Sequence, residues 1–198
     1  MKQSISILIL LFSFVAFSQS RDNPTYFYFE NLQIDKAQFA KLDERKTFLK
    51  EVVTDTAVLV KAYQHKNIGQ LDSVQHAQIN LFLEKIIGKK FNPNRKNMIH
   101  LYSKNDDKIQ EDANFKKYWK WISNNRDRYQ SYLMGTKASQ IKADHKNHIY
   151  VDSYDLLRNL FFKDSEFDIN HLLIKPTGEI YIFYGMDNIL SVLDHSVD

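Results

Sequence analysis

The chain contains no cysteine among its 198 residues. That excludes disulfide bridges, a thiolate nucleophile and any thiolate-held metal or iron–sulfur site. Prolines number three and glycines five, so there is neither a proline-rich linker nor a glycine-rich phosphate cradle. No G-x-G-x-x-G, P-loop or G-x-S-x-G pattern occurs. Excess charge is scarce as well. The net charge is +3, and setting aside Lys2, the one charge in residues 1–18, leaves +2. So small an excess gives no reason to expect nucleic acid or an anionic membrane surface as partner. Beyond the first twenty residues no apolar run approaches the roughly 18 residues of a membrane span.

What the chain does have is, first, a distinctive start. Lys2 precedes an apolar run from Ile5 to Phe17, and the small residues Ala16 and Ser18 precede Gln19. A basic start, a short apolar stretch and a small-residue exit form the pattern of a secretory signal. The expectation is a signal peptide over 1–18 and a periplasmic or secreted protein whose mature end, readable by N-terminal sequencing, lies near Gln19. Hydrophobic residues make up 43% and aromatics 14%, enough for a buried core.

Residues 19–92 read as mostly helical. The run Tyr26–Phe29 suits a strand or a docked segment. Asp35 and Gln38 form a capping box, and Phe39, Leu42, Leu49, Val52 and Val53 suggest a broken helical stripe. Ala57–Tyr63 is ambiguous between helix and strand. A well-marked helix follows, capped by Asp72 or Ser73, with Ile79, Phe82, Leu83 and Ile86 on one face and Gly88 as its stop. The loop 88–97 is the one internal boundary.

After it, strand and helix alternate. Met98–Tyr102 is a strand. Phe115, Tyr118, Trp119 and Ile122 are spaced for one helical face. Tyr129–Met134 is a second strand, and Leu156, Leu157, Leu160 and Phe161 belong to a short helix. Ile169–Ile174 and Ile180–Tyr184 form a hairpin across Lys175-Pro176-Thr177-Gly178, with proline where the turn wants a fixed φ and glycine where it wants a positive one. Asp187–Leu193 is a last helix. The order strand-helix-strand, helix, hairpin, helix over about 97–195, with its closing HLLIKPTGEIYIFYGMDNILSVL, resembles a thioredoxin-like domain. The expected fold class is therefore α/β: a thioredoxin-like β-α-β/β-β-α domain at 97–198 behind a mostly helical N-terminal extension. The resemblance stops at the chemistry. Ser103–Lys108 stands where the family carries Cys-x-x-Cys, and Phe167–His171 lacks the family's cis-proline, so no redox residue carries over.

Several clusters invite a chemical reading. Asp144, His145, His148 and Asp152 are metal-capable, and His171 or Asp168 could complete a site; the plainer reading is a polar hairpin tip. Asp106, Asp107, Glu111 and Asp112 suit an acidic helix start better than a Ca²⁺ loop. Tyr118, Trp119, Trp121, Tyr129 and Tyr132 interleave with Lys116, Lys117, Lys120, Arg126 and Arg128. Most of those rings belong in a core, with Trp121 off the stripe. Lys85, Lys89, Lys90, Arg95, Lys96 and Lys104 read as a solvated face, and His76 as solvent-facing.

Taken together, the sequence reads as an exported, redox-inactive binding or interaction module with no cofactor, no nucleic acid and no stable membrane span. Its partner would be a protein or a small molecule. The alternatives are a metal-dependent enzyme using His145, His148 and His171, or a structural component of an envelope complex docked through Tyr26–Phe29.

Overall fold

A computed structural model of the chain describes residues 23–44, 46–104 and 107–194. The signal-like residues 1–18 lie outside them.

The N-terminal half is not a helical extension. Strands β1 (Thr25–Phe29), β2 (Leu32–Ile34), β3 (Thr47–Val53) and β4 (Val58–Gln64) form a mixed four-stranded sheet in the order β2-β1-β4-β3. The chain is therefore α/β with two mixed sheets, and the expected helical extension is corrected to a sheet. The stretch assigned to a broken helix is strand β3. Its side chains alternate, with Leu49, Glu51 and Val53 exposed and Phe48, Lys50 and Val52 turned inward, which is the two-residue period of a strand. Thr54 closes the β3–β4 hairpin by donating its N–H to the Ala57 carbonyl at 2.8 Å. The Asp35–Gln38 capping box exists, yet it opens a helix of only four residues, α1 (Lys36–Phe39), whose Phe39 ring lies 4.6 Å from that of Phe27.

The second sheet has six strands, β5 (Lys66–Gln70), β6 (Lys96–Tyr102), β7 (Tyr129–Thr136), β8 (Ile149–Asp152), β9 (Ile169–Ile174) and β10 (Glu179–Tyr184), in the order β5-β10-β9-β6-β7-β8. Strands β6, β7 and β8 are parallel; β9 runs antiparallel to β6 and to β10, and β5 antiparallel to β10. The helices are α2 (Ser73–Ile87), α3 (Lys108–Ala113), α4 (Lys116–Asn124), α5 (Leu156–Phe161) and α6 (Ile189–Asp194). The loop 88–97 does not separate this sheet from what precedes it. Strand β5 lies on its edge and α2 packs on its face. Helix α2 starts at Asp72, whose carboxylate accepts from Val74 and Gln75 N–H in a capping box, and it ends at Gly88.

Strand alternation sends two sets of side chains to opposite faces. Ile99, Leu101, Leu172, Ile174, Ile180 and Ile182 meet Ile79, Leu83 and Ile87 of α2 and Leu157 of α5. Met98, Leu173 and Phe183 meet Tyr118 and Ile122 of α4 and Ile189, Val192 and Leu193 of α6. Each such aliphatic side chain, fully buried, stabilises the fold by roughly 1.5–3 kcal/mol before entropy is counted. The β9–β10 turn is built as its residues suggest, with the Gly178 N–H on the Lys175 carbonyl at 2.9 Å and Gly178 at φ 84°.

The small sheet docks through aromatic rings. Phe167 lies 5.3 Å from Phe48 and 4.7 Å from Tyr63, and Tyr63 lies 5.5 Å from Tyr184. Lys61 pairs with Glu166 across this junction, and Lys50 donates to the Glu166 carbonyl at 2.6 Å.

Candidate functional site

A chain of polar groups crosses the core between the second sheet and α4. His100 of β6 and His171 of β9 stand directly opposite one another, both fully buried, with their Nδ1 atoms 2.7 Å apart. The direction of the bonds follows from the far end. His171 Nε2 lies 2.9 Å from the Met186 carbonyl, which can only accept, so Nε2 carries the proton and Nδ1 of neutral His171 accepts. His100 therefore donates from Nδ1 and accepts at Nε2 from the Tyr118 hydroxyl, 2.6 Å away. The Tyr118 oxygen in turn accepts from Ser131 Oγ at 2.7 Å. Every bond in this array is made with both histidines neutral. Burial lowers the His171 imidazole to about 3. Burial, then the neighbouring His171, hold His100 well below the ordinary histidine range. Burial raises the Tyr118 phenol.

Ser131, at the end of this array, also lines a surface cavity of about 290 Å³. The cavity exists because β8 is short. Strand β7 pairs along its length with β6 from Tyr129 to Gly135, whereas β8 covers only Leu133–Thr136. The first half of β7 thus has a strand on one flank only, and the cavity occupies the other. Its aromatic walls are Trp119, Tyr129 and Tyr132. His148, the residue before β8, stacks on Trp119 with the ring centroids 4.3 Å apart. Lys89, Arg95 and Arg126 also line it, and among the described residues none in its lining is acidic. Burial, then Lys89, keep His148 below the ordinary histidine range, so positive charge here is carried by the lysine and the arginines.

Two other hollows lack this imbalance of charge. One of about 550 Å³ at the start of α2, between Gln70, Asp72 and His76, is wide open and has no cation in its lining. One of about 250 Å³ at the junction of the sheets holds Glu30 and Lys66, but these already pair at 2.5 Å.

The three metal-ligand candidates part company. His145 stacks on Tyr150 at 5.0 Å and His148 on Trp119, while His171 is committed to His100 and Met186. Among the described residues no three histidine or carboxylate side chains are grouped to hold a metal ion. The Asp144–His148 stretch is a short turn leading into β8, which runs parallel to β7, and Asp144 accepts there from Lys146 N–H and the Asn147 amide. Asp168 pairs with exposed Lys104 at 2.6 Å, and Asp152 accepts from the N–H groups of Tyr154 and Leu157 at the start of α5. The acidic cluster also disperses. Asp106 lies outside the described residues. Asp112 turns into the core, accepting from Tyr102 at 2.7 Å and from Lys108 at 2.5 Å. Trp121 is partly covered by Tyr129, 4.9 Å away.

Sequence reasoning missed His100 and Ser131. His100 had a visible signal, a polar side chain at the inward position between Met98 and Tyr102. The sequence pattern places Lys89 and Arg95 on a solvated face, and Trp119, Tyr129 and Tyr132 in a core. The cavity is where these two surfaces meet. Comparison of the sequence with protein-family models and with curated proteins gives no match, so the site is read from its geometry.

Proposed function

We propose that the chain is an exported binding module that takes an anionic ligand in the cavity beside β7. One observation carries the reading. Lys89, Arg95 and Arg126 converge on a hollow with aromatic walls and no carboxylate in its lining, and no ion pair occupies any of the three among the described residues. Unpaired cations beside a partly desolvated surface favour an anion, and arginine does so with a planar set of donors suited to carboxylate or phosphate. The aromatic walls offer stacking to a flat group or contact to an apolar one. Binding is favoured over catalysis because His100 and His171 are buried and hydrogen-bonded at both ring nitrogens, and neither lines the cavity. The thioredoxin-like reading of residues 97–195 belongs to the same proposal. Its basis is the element order and the Pro176-Thr177-Gly178 turn, and a cysteine-free member would keep a frame for recognition without thiol chemistry.

The test uses the protein's own fluorescence. Trp119, one of two tryptophans, lines the cavity. Phenyl phosphate is expected to change the emission saturably, and phenol at the same concentrations to leave it unchanged. Arg95→Glu/Arg126→Glu is expected to weaken phenyl phosphate binding about tenfold or more with the melting temperature little altered. Equal responses to phenol and phenyl phosphate would remove the anion from the account.

A further inference from the structure

We infer that the ligand is an acidic peptide segment in extended conformation, added to the second sheet as a short strand alongside the first half of β7. This rests on the anion-binding reading of the same cavity and names its occupant. Leu133 donates its N–H to the His148 carbonyl at 3.0 Å, the first bond between β7 and the chain entering β8. Backbone groups along a strand point alternately to its two flanks. Ser131, two residues earlier, therefore turns its N–H and C=O to that same flank, where no strand among the described residues lies beside it. The chain leaves that line because His148 takes a left-handed backbone, φ 59°, and the residues before it fold into the short turn His145–Asn147. The result is a sheet edge about four residues long, recessed in a cavity instead of standing on an outer rim.

An extended chain laid in that recess continues the line of β8 and meets the Ser131 backbone with a matching donor and acceptor, as in other strand-addition complexes. A ligand without an extended backbone leaves those two groups to water. Charge then selects among peptides. Lys89, Arg95 and Arg126 line the recess without an acidic residue, so glutamate or aspartate side chains are matched and lysine or arginine side chains are repelled. The length of open edge limits the paired segment to a few residues, and the short recess disfavours a broad, flat protein surface as occupant.

The experiment compares four acetylated, amidated pentapeptides on the full chain: Glu-Val-Glu-Val-Glu, Lys-Val-Lys-Val-Lys, and two forms of the first with its backbone nitrogens methylated at odd or at even positions. The acidic peptide is expected to quench Trp119, and the basic one to leave it unchanged. Methylation of the set facing β7 is expected to weaken binding about tenfold, and methylation of the other set to leave it nearly unchanged, because only one set can donate to Ser131. In amide exchange, Ser131 is expected to be protected by the acidic peptide but not by phenyl phosphate. If phenyl phosphate binds, while both methylated peptides bind as well as the parent or the Ser131 amide gains no protection, the strand pairing is wrong and the anion site stands. If neither phenyl phosphate nor the acidic peptide binds, the anion site itself is wrong.

Discussion

Lowering the pH from 7 to 5 is expected to remove about 2 kcal/mol of folding stability through His171, with His100 adding to the loss. Both imidazoles are neutral in the folded protein. Burial lowers His171 to about 3 and holds His100 well below its ordinary value. In the unfolded chain each takes up a proton near pH 6.5. Between those limits the unfolded state binds more protons, so stability is fully present above about 6.5 and is lost as the pH falls toward the folded values. At pH 5 holding His171 neutral costs about 2 kcal/mol, which is 1.5 pH units at 1.36 kcal/mol per unit, and His100 acts in the same direction. That loss is a sizeable share of the 5–15 kcal/mol that holds a typical domain together. Asp112 and Asp152, whose carboxyls burial raises, act in the opposite sense, but between their own unfolded and folded values. Urea unfolding at pH 7, 6 and 5 measures the slope. The Cε1–Hε1 resonances of the two histidines, followed through the same range, should not titrate while the protein stays folded. A stability independent of pH over this range, or a His171 resonance that titrates near 6.5, would contradict the neutral pair.

Replacing Gly185 by alanine is expected to cost about 3 kcal/mol or more. The position follows β10 and has φ 64°, a conformation that favours glycine. A methyl group there would stand 2.4 Å from Phe167 Cδ1 and 2.6 Å from Phe48 Cε1, the two rings through which the small sheet meets the large one. Gly69→Ala serves as the comparison, since Gly69 is also at positive φ, 123°, but nothing lies within 4 Å of the added methyl. Its cost should be that of the backbone alone, about 1 kcal/mol. Equal losses at the two positions in urea unfolding would show that Gly185 is not a packing point between the sheets.

The parts of the fold that were legible share a local cause. The helix from Asp72 to Gly88 declares itself by a cap at each end and an apolar face between. The β9–β10 hairpin is announced by Pro176 and Gly178 at positions whose backbone angles they favour. Of the small sheet, the Tyr26–Phe29 run suits a strand, but β3 was not legible, because it carries apolar residues on both faces, Leu49 and Val53 on the exposed one. Leu49 and Val53 on one face of β3 alternate with Phe48 and Val52 on the other, so apolar residues run together and imitate a helical stripe. Nothing local separates the two readings; pairing of β3 with β4 and of β1 with β4 decides them. The site was hidden for a different reason. His100 and His171 are 71 positions apart, and one imidazole gives no sign of the other. The cavity depends on where β8 begins, and the turn residues Asp144–His148 say that the chain bends without saying which part of β7 is left uncovered.

The anion site beside β7 is tested most directly by mapping amide and indole resonances of the full chain as phenyl phosphate is added. The largest shifts are expected on the Trp119 indole N–H and on the amides around Arg126, Tyr129–Tyr132 and His148, with one dissociation constant for all of them. They are also expected to vanish in Arg95→Glu/Arg126→Glu. Shifts centred on the Glu30–Lys66 junction or on the start of α2, with the β7 resonances unmoved at saturation, would contradict the site.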